Sequence, residues 1–291
     1  MNITDFETQE EARFTITVIG LGLMGGSLAM ALRGFRNARI AGMDANPKTV
    51  EQALERGAID KAFLDGKEAA GASDLILLCV YPHHIIEFME AYGETLSPGC
   101  VVSDICGAKA KLYTEIEKRI PKGVEYIGIH PMAGKEVDGF QNAEAGLFRN
   151  TGLIITPLRA SGENSLNLMK ELGEHIGART TVCQPELHDD IIAYTSDLMH
   201  LSATALCMDF HPEMNSYFTA GAFRDCTRIA NINPALWSEL FLMNDEYILP
   251  HLRNYIERLE AMEKGIREKD KKQLFCLLER ARDNKKEMLT R

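Results

Sequence analysis

Residues 14–27, FTITVIGLGLMGGS, decide the fold. Residues 14–19 read as a strand that feeds straight into Gly20-x-Gly22-x-x-Gly25, and a helix is expected over 24–33. Each glycine has a physical task in such a loop. One makes the tight turn, one lets backbone approach a pyrophosphate, and one allows close helix–strand packing. The helix N-terminus then offers amide donors and positive potential to the anion. Asp44 follows at the end of the next strand, placed to accept hydrogen bonds from an adenosine ribose and to repel a 2′-phosphate, which favours NAD over NADP. The competing reading is a purely structural turn, with Asp44 capping the helix that begins near Pro47.

Outward from this loop, strand and helix signals alternate. Strands are expected at 14–19, 39–43, 75–80, 101–103, 125–129 and 152–156, mostly as continuous apolar runs of the kind that sheets covered on both faces require. Helices are expected at 24–33, 47–56, 83–95 and 108–119. The alternation predicts a parallel sheet. From Pro185 the strand signal disappears. A long helix is expected from 185 to 209, with Leu187, Ile191, Leu198, Leu201 and Ala205 on one stripe, and others over 235–263 and 269–289. The chain thus divides into 1–183 and a helical part at 184–291, whose abundant apolar faces point to a homodimer.

Composition narrows the function classes. Apolar and charged fractions of 45% and 25% are those of an ordinary globular protein, and a formal charge of −10 argues against nucleic acid or anionic membrane as partner. The segment MNITDFETQEEARF lacks the basic and apolar regions of a signal peptide, and the run Leu75–Tyr81 is too short to span a bilayer. Seven scattered cysteines without a C-x-x-C pair read as free thiols in a reducing cytoplasm.

The chemistry centres on YIGIHPMAGKE, residues 126–136, where a strand ends in His130. Ligands of such sheets bind outside the carboxyl ends of the strands, and a titratable imidazole there is either a catalyst or a turn residue bonded to backbone. His200 sits three residues after Asp197 on the long helix, so the two share a face. Arg228, in GAFRDCTR, is suited to clamp a carboxylate or to pair with Asp225. The cofactor's neighbours on this reading are Gly20, Gly22, Leu23, Met24, Gly25, Asp44, Val80, Tyr81, Pro82 and Asp104. His83 and His84 read as loop lining or solvent-facing. No metal site is expected, since no acidic or cysteine partner stands nearby in sequence.

Together GLGLMGGS (20–27), SDICGAKAKL (103–112), HPMAGKE (130–136), ELHD (186–189), SDLMHL (196–201) and GAFRDCTRIANINPALW (221–237) resemble the prephenate/arogenate dehydrogenase family of tyrosine biosynthesis over nearly the whole chain. The resemblance implies an α/β Rossmann-type dinucleotide-binding domain followed by an all-α dimerisation domain. It also implies NAD-dependent oxidative decarboxylation of prephenate to 4-hydroxyphenylpyruvate, with arogenate or dual-substrate cyclohexadienyl activity as the alternative. His130 matches the family's acceptor for the ring-hydroxyl proton, His200 its helix histidine, and Arg228 its substrate-carboxylate clamp, with Asp225 beside it. Two positions depart from the commoner pattern. Gly107 stands where a serine is frequent, leaving a backbone amide or water to replace the hydroxyl. Asp197 stands where a second histidine is frequent, and is suited to orient His200 or to face the ammonium that distinguishes arogenate. Remoter readings are a β-hydroxyacid dehydrogenase, for which no G-x-x-x-K helix appears between 160 and 185, and a non-catalytic NAD(H) sensor.

Overall fold

The computed structural model describes residues 13–209, 211, 213–215, 217–288 and 290; the acidic segment 1–12 lies outside them. The first part runs β1 (Thr15–Ile19), α1 (Leu23–Ala31), β2 (Arg39–Met43), α2 (Pro47–Glu55), β3 (Lys61–Ala62), α3 (Gly66–Ala72), β4 (Leu75–Leu78), α4 (Pro82–Tyr92), β5 (Val101–Asp104) and α5 (Ala110–Ile116). It continues with β6 (Glu125–Pro131), β7 (Gly152–Pro157), α6 (Glu163–His175) and β8 (Arg179–Val182). The helical part comprises α7 (Pro185–Ile192), α8 (Leu198–Met208), α9 (Gly221–Thr227), α10 (Pro234–Met243), α11 (Asp245–Arg267) and α12 (Lys271–Met288).

One eight-stranded sheet has the order β3-β2-β1-β4-β5-β6-β7-β8. Chain order reverses between β1 and β4, which opens a crevice at their carboxyl ends, directly above the glycine loop. Along β4, Leu75 and Leu77 enter one core with Leu28, Leu32 and Leu172, while Ile76 and Leu78 enter the opposite core with Ile85, Phe88 and Leu112. Both faces are covered, as the continuous apolar runs require.

The sheet is not wholly parallel. β6 and β7 pair antiparallel, with His130 opposite Ile154 and Pro131 opposite Leu153. A parallel neighbour needs a crossover that returns to the strand's starting edge, usually through a helix. The 132–151 connection instead leaves and re-enters at the same edge, carrying only the short helical turn Phe140–Asn142. The whole His-Pro loop therefore stays at the ligand-binding edge.

The expected helix at 185–209 is one rod, α7 and α8 joined by the π-helical turn Ala193–Asp197. Its expected apolar stripe holds at Leu198, which is buried, and fails along α7. Leu187 and Ile191 are exposed, and the inward face is His188, Asp189, Ile192, Asp197 and Leu198. The expected helix at 235–263 is broken at buried Asn244, whose amide donates to the Asp189 carbonyl (3.1 Å) and to Asp197 Oδ2 (2.7 Å). Among the described residues, no helix is long and apolar enough to cross a membrane.

Candidate active site

The glycine loop has the geometry its sequence calls for. Gly20 adopts φ +87°, and a Cβ there would lie 2.4 Å from the Cys79 carbonyl oxygen; one on Gly25 would lie 1.8 Å from that of Gly20. A Cβ on Gly22 would meet nothing within 4 Å, and no side chain caps α1, whose first turn carries Leu23 and Met24. An open, uncapped helix N-terminus fits a pyrophosphate. Asp44 accepts from the Leu21 amide (2.8 Å) and the Asn46 amide (2.8 Å), so it ties the loop to β2. The cap of α2 is Asn46, whose side chain accepts from Lys48 N at 3.1 Å. Val80, Tyr81 and Pro82 lie across the crevice at the end of β4, where Tyr81 Oη accepts from Asn233 Nδ2 at 2.8 Å.

Asp104, expected beside the cofactor, is turned inward from the crevice. It is fully buried, accepting from Lys109 Nζ (2.6 Å) and the Cys106 amide (2.8 Å) through Oδ1 and from Tyr126 Oη (3.0 Å) through Oδ2. Lys109, equally buried, also donates to the Ile129 carbonyl at 2.8 Å. A buried ion pair with both carboxylate oxygens hydrogen-bonded holds its surroundings rigid. Here it pins the strand end that carries His130.

His130 Nδ1 lies 2.8 Å from His188 Nε2, and His188 Nδ1 lies 2.7 Å from Asp189 Oδ1. The hydrogen-bond directions follow from the acceptor-only carboxylate at the far end. His188 donates from Nδ1 to Asp189, so its Nε2 accepts, so His130 donates from Nδ1 and keeps a lone pair on Nε2. That Nε2 faces Gly107, where an added Cβ would lie 3.6 Å away. Burial, then His188 and Lys109, push the His130 pKa well below its usual 6.5, which keeps the ring neutral and its Nε2 lone pair free of a proton. Asp189 also accepts from the Lys109 (2.9 Å) and Ala110 (2.8 Å) amides, capping α5 from a different helix. His188 and Asp189 were overlooked as site residues, although ELHD contains them, because a period-based reading turns polar residues outward.

His200 donates from Nδ1 to the Ser196 carbonyl at 2.9 Å, its ring lies 3.7 Å from Trp237 of α10, and burial lowers its pKa. Asp197 does not orient it. Asp197 points away into the α11 junction, where burial raises its pKa to about 6. Arg228 pairs not with Asp225, which is exposed, but with Glu136 of the His-Pro loop; Asn231 Nδ2 donates to the Glu136 carbonyl at 3.2 Å. Leu240 of α10 lies 3.8 Å from the position of a Gly107 Cβ, which joins the His130 side of the crevice to the His200–Trp237 side. His83 and His84 do have acidic partners: His84 Nδ1 lies 2.8 Å from Glu87 Oε2, one helical turn on, and His83 Nδ1 lies 2.6 Å from Glu239 Oε1 of α10.

The prephenate dehydrogenase nucleotide-binding domain model matches residues 28–182, and the prephenate dehydrogenase dimerization domain model matches 184–280. The chain belongs to the prephenate dehydrogenase family. A prephenate dehydrogenase of Bacillus subtilis (strain 168) is 30% identical over 279 residues, covering 92% of this chain and 74% of that protein. A cyclohexadienyl dehydrogenase of Zymomonas mobilis is 29% identical, covering 88% of this chain and 89% of that protein. The crystal structure of prephenate dehydrogenase from A. aeolicus, in complex with hydroxyphenyl propionate and NAD+, superposes with a TM-score of 0.85 at 27% identity, covering 96% of this chain and 100% of that one. In family terms, the HPMAG loop, the glycine loop and the helical domain meet at one crevice.

Proposed function

We propose that this chain catalyses the NAD-dependent oxidative decarboxylation of prephenate to 4-hydroxyphenylpyruvate, as a homodimer built through the helical part beyond residue 183. The observation that carries the reading is the His130–His188–Asp189 relay, which leaves an imidazole lone pair at the crevice. Family membership and the open N-terminus of α1 support NAD. Bound nicotinamide supplies the hydride acceptor. His130 Nε2 accepts the hydrogen bond of the substrate's C4 hydroxyl and draws density toward C4 as hydride departs and the ring carboxylate leaves as carbon dioxide. His188 Nε2, 2.8 Å from His130 Nδ1, holds the ring so that Nε2 faces the substrate hydroxyl. Arg228, steered by Glu136 over the loop, is placed to meet a substrate carboxylate.

Prephenate is favoured over arogenate because Asp197, the anion suited to an ammonium group, is turned into the bundle and bonded to Asn244. The test is NADH formation from NAD with each substrate in turn. Prephenate is expected to be turned over faster, and no NADH from either would overturn the reading. His130→Asn should lower turnover by about two to four orders of magnitude; near-normal turnover would remove His130 from its role.

A further inference from the structure

We propose that His83, His84, Glu87 and Glu239 form a site for a divalent transition metal of the zinc class, which fastens α4 of the nucleotide-binding part to α10 of the helical part. One ligand atom from each of His83, His84 and Glu87 already lies within 4.8 Å of the other two. Glu239 stands outside that group of three and reaches it from the other domain through His83, its Oε1 lying 2.6 Å from His83 Nδ1. The two imidazole rings stand 3.8 Å apart between the two carboxylates.

The donor set selects the metal. Two imidazoles with two carboxylates suit zinc, nickel, cobalt or copper, whereas magnesium and calcium prefer all-oxygen shells. Ligand bonds of about 2.0–2.2 Å around a tetrahedral ion put neighbouring donors a little over 3 Å apart. Exposed side chains reach that spacing by small rotamer changes, since His83, His84 and Glu87 are free of packing on their outer faces. The negative charge of the two carboxylates balances the dication. Separately, exposed histidine–glutamate pairs stabilise little; a shared ion would couple all four groups into one crosslink.

The position gives the site consequence. Tyr81 and Asn233 already join the same two elements by a 2.8 Å hydrogen bond. α10 also carries Trp237 and Leu240, which face His200 and Gly107. A metal at the outer rim would be a second fastening of the crevice's two walls. It shares no residue with the His130 relay, so it stands or falls apart from the reaction assigned above.

The test uses the full chain, stripped with a chelator and titrated with Zn2+ and then Co2+ by calorimetry and absorbance. One ion per chain and a raised Tm are expected. His84→Ala and Glu87→Gln should each weaken binding by at least about 10–100-fold, the cost of losing only a group that supports a ligand from behind. Glu239→Gln should retain binding to α4 but lose the rise in Tm. Cys207, Cys226 and Cys276 are exposed and compete for metal. Their ligation would appear as a thiolate-to-cobalt charge-transfer band, which histidine and carboxylate ligation lacks. That band as the main signal, no heat of binding, or unchanged affinity in His84→Ala and Glu87→Gln would each overturn the proposal.

Discussion

Replacing His188 by asparagine tests the relay at its middle. Burial is the largest cause of the lowered His130 pKa and His188 the next, so removing His188 moves that pKa back up. A base must be unprotonated to work, so activity is lost as pH falls through its pKa. The acidic limb of the kcat/KM profile should therefore shift to higher pH in His188→Asn, with a loss of about tenfold or more in kcat at neutral pH. An unmoved limb would confine His188 to packing. Gly107 makes the opposite test, by addition. A Cβ there meets His130 Nε2 at 3.6 Å and Cε1 at 3.7 Å, ordinary contact distances, so serine fits without displacement. Its hydroxyl would lie beside Nε2 within reach of the substrate's C4 oxygen, and one added hydrogen bond of about 0.5–1.5 kcal/mol to that oxygen corresponds to a roughly two- to tenfold gain in kcat/KM. A comparable loss would mean that water at Gly107 serves better than a hydroxyl. His130 and Gly107 were legible in the sequence because each stands at the end of a recognisable strand or loop. His188 was not, because it is buried through its hydrogen bonds rather than through apolarity.

The π-helical turn at Ala193–Asp197 sets the phase of the whole α7–α8 rod, and buried polar groups account for the mis-read stripe. A hydrophobic period assumes that the inward face is apolar; here His188, Asp189 and Asp197 take inward positions, and Leu187 and Ile191 are left outside. Asp197 makes this measurable. Burial raises its pKa from 3.8 to about 6 in the folded chain, whereas the unfolded chain releases the proton near the ordinary value. Between those pH values the folded state binds more protons, so stability falls as pH rises from about 4 to about 6, by on the order of 2–3 kcal/mol. Asp197→Asn removes that ionisation and offers an amide donor to buried Asn244 Oδ1, which has no partner among the described residues. Urea unfolding at pH 4.5 and pH 7 should show the slope in the natural chain, and in Asp197→Asn a flattened slope with higher stability at pH 7. Equal pH dependence in both would place the titration elsewhere.

At the scale of the molecule, the alternation of strands and helices gave away the doubly covered sheet, while the antiparallel β7 stayed hidden because the 132–151 connection carries no pattern that states its direction. β3 is two residues long and β8 is exposed along its length, so neither leaves a hydrophobic signature. The helical part shows the reverse mismatch, with apolar residues left on the outside. Ile256, Leu259 and Ile266 of α11 and Phe275 and Leu278 of α12 are exposed at 45–67%. Exposed apolar faces of this extent mark an interface, and the occupant proposed above, a second copy, would present the same face about a two-fold axis. The match of residues 184–280 to a dimerization domain supports that occupant. Size-exclusion chromatography with light scattering should give about twice the 32.5 kDa of one chain. Replacing Ile256 and Leu259 together by aspartate should return the protein to monomer with its helical circular dichroism intact, because both side chains lie outside the core. A natural chain that runs as a monomer at micromolar concentration would sink this assembly. A variant that stays dimeric would move the interface to another face, such as the one carrying Leu187 and Ile191.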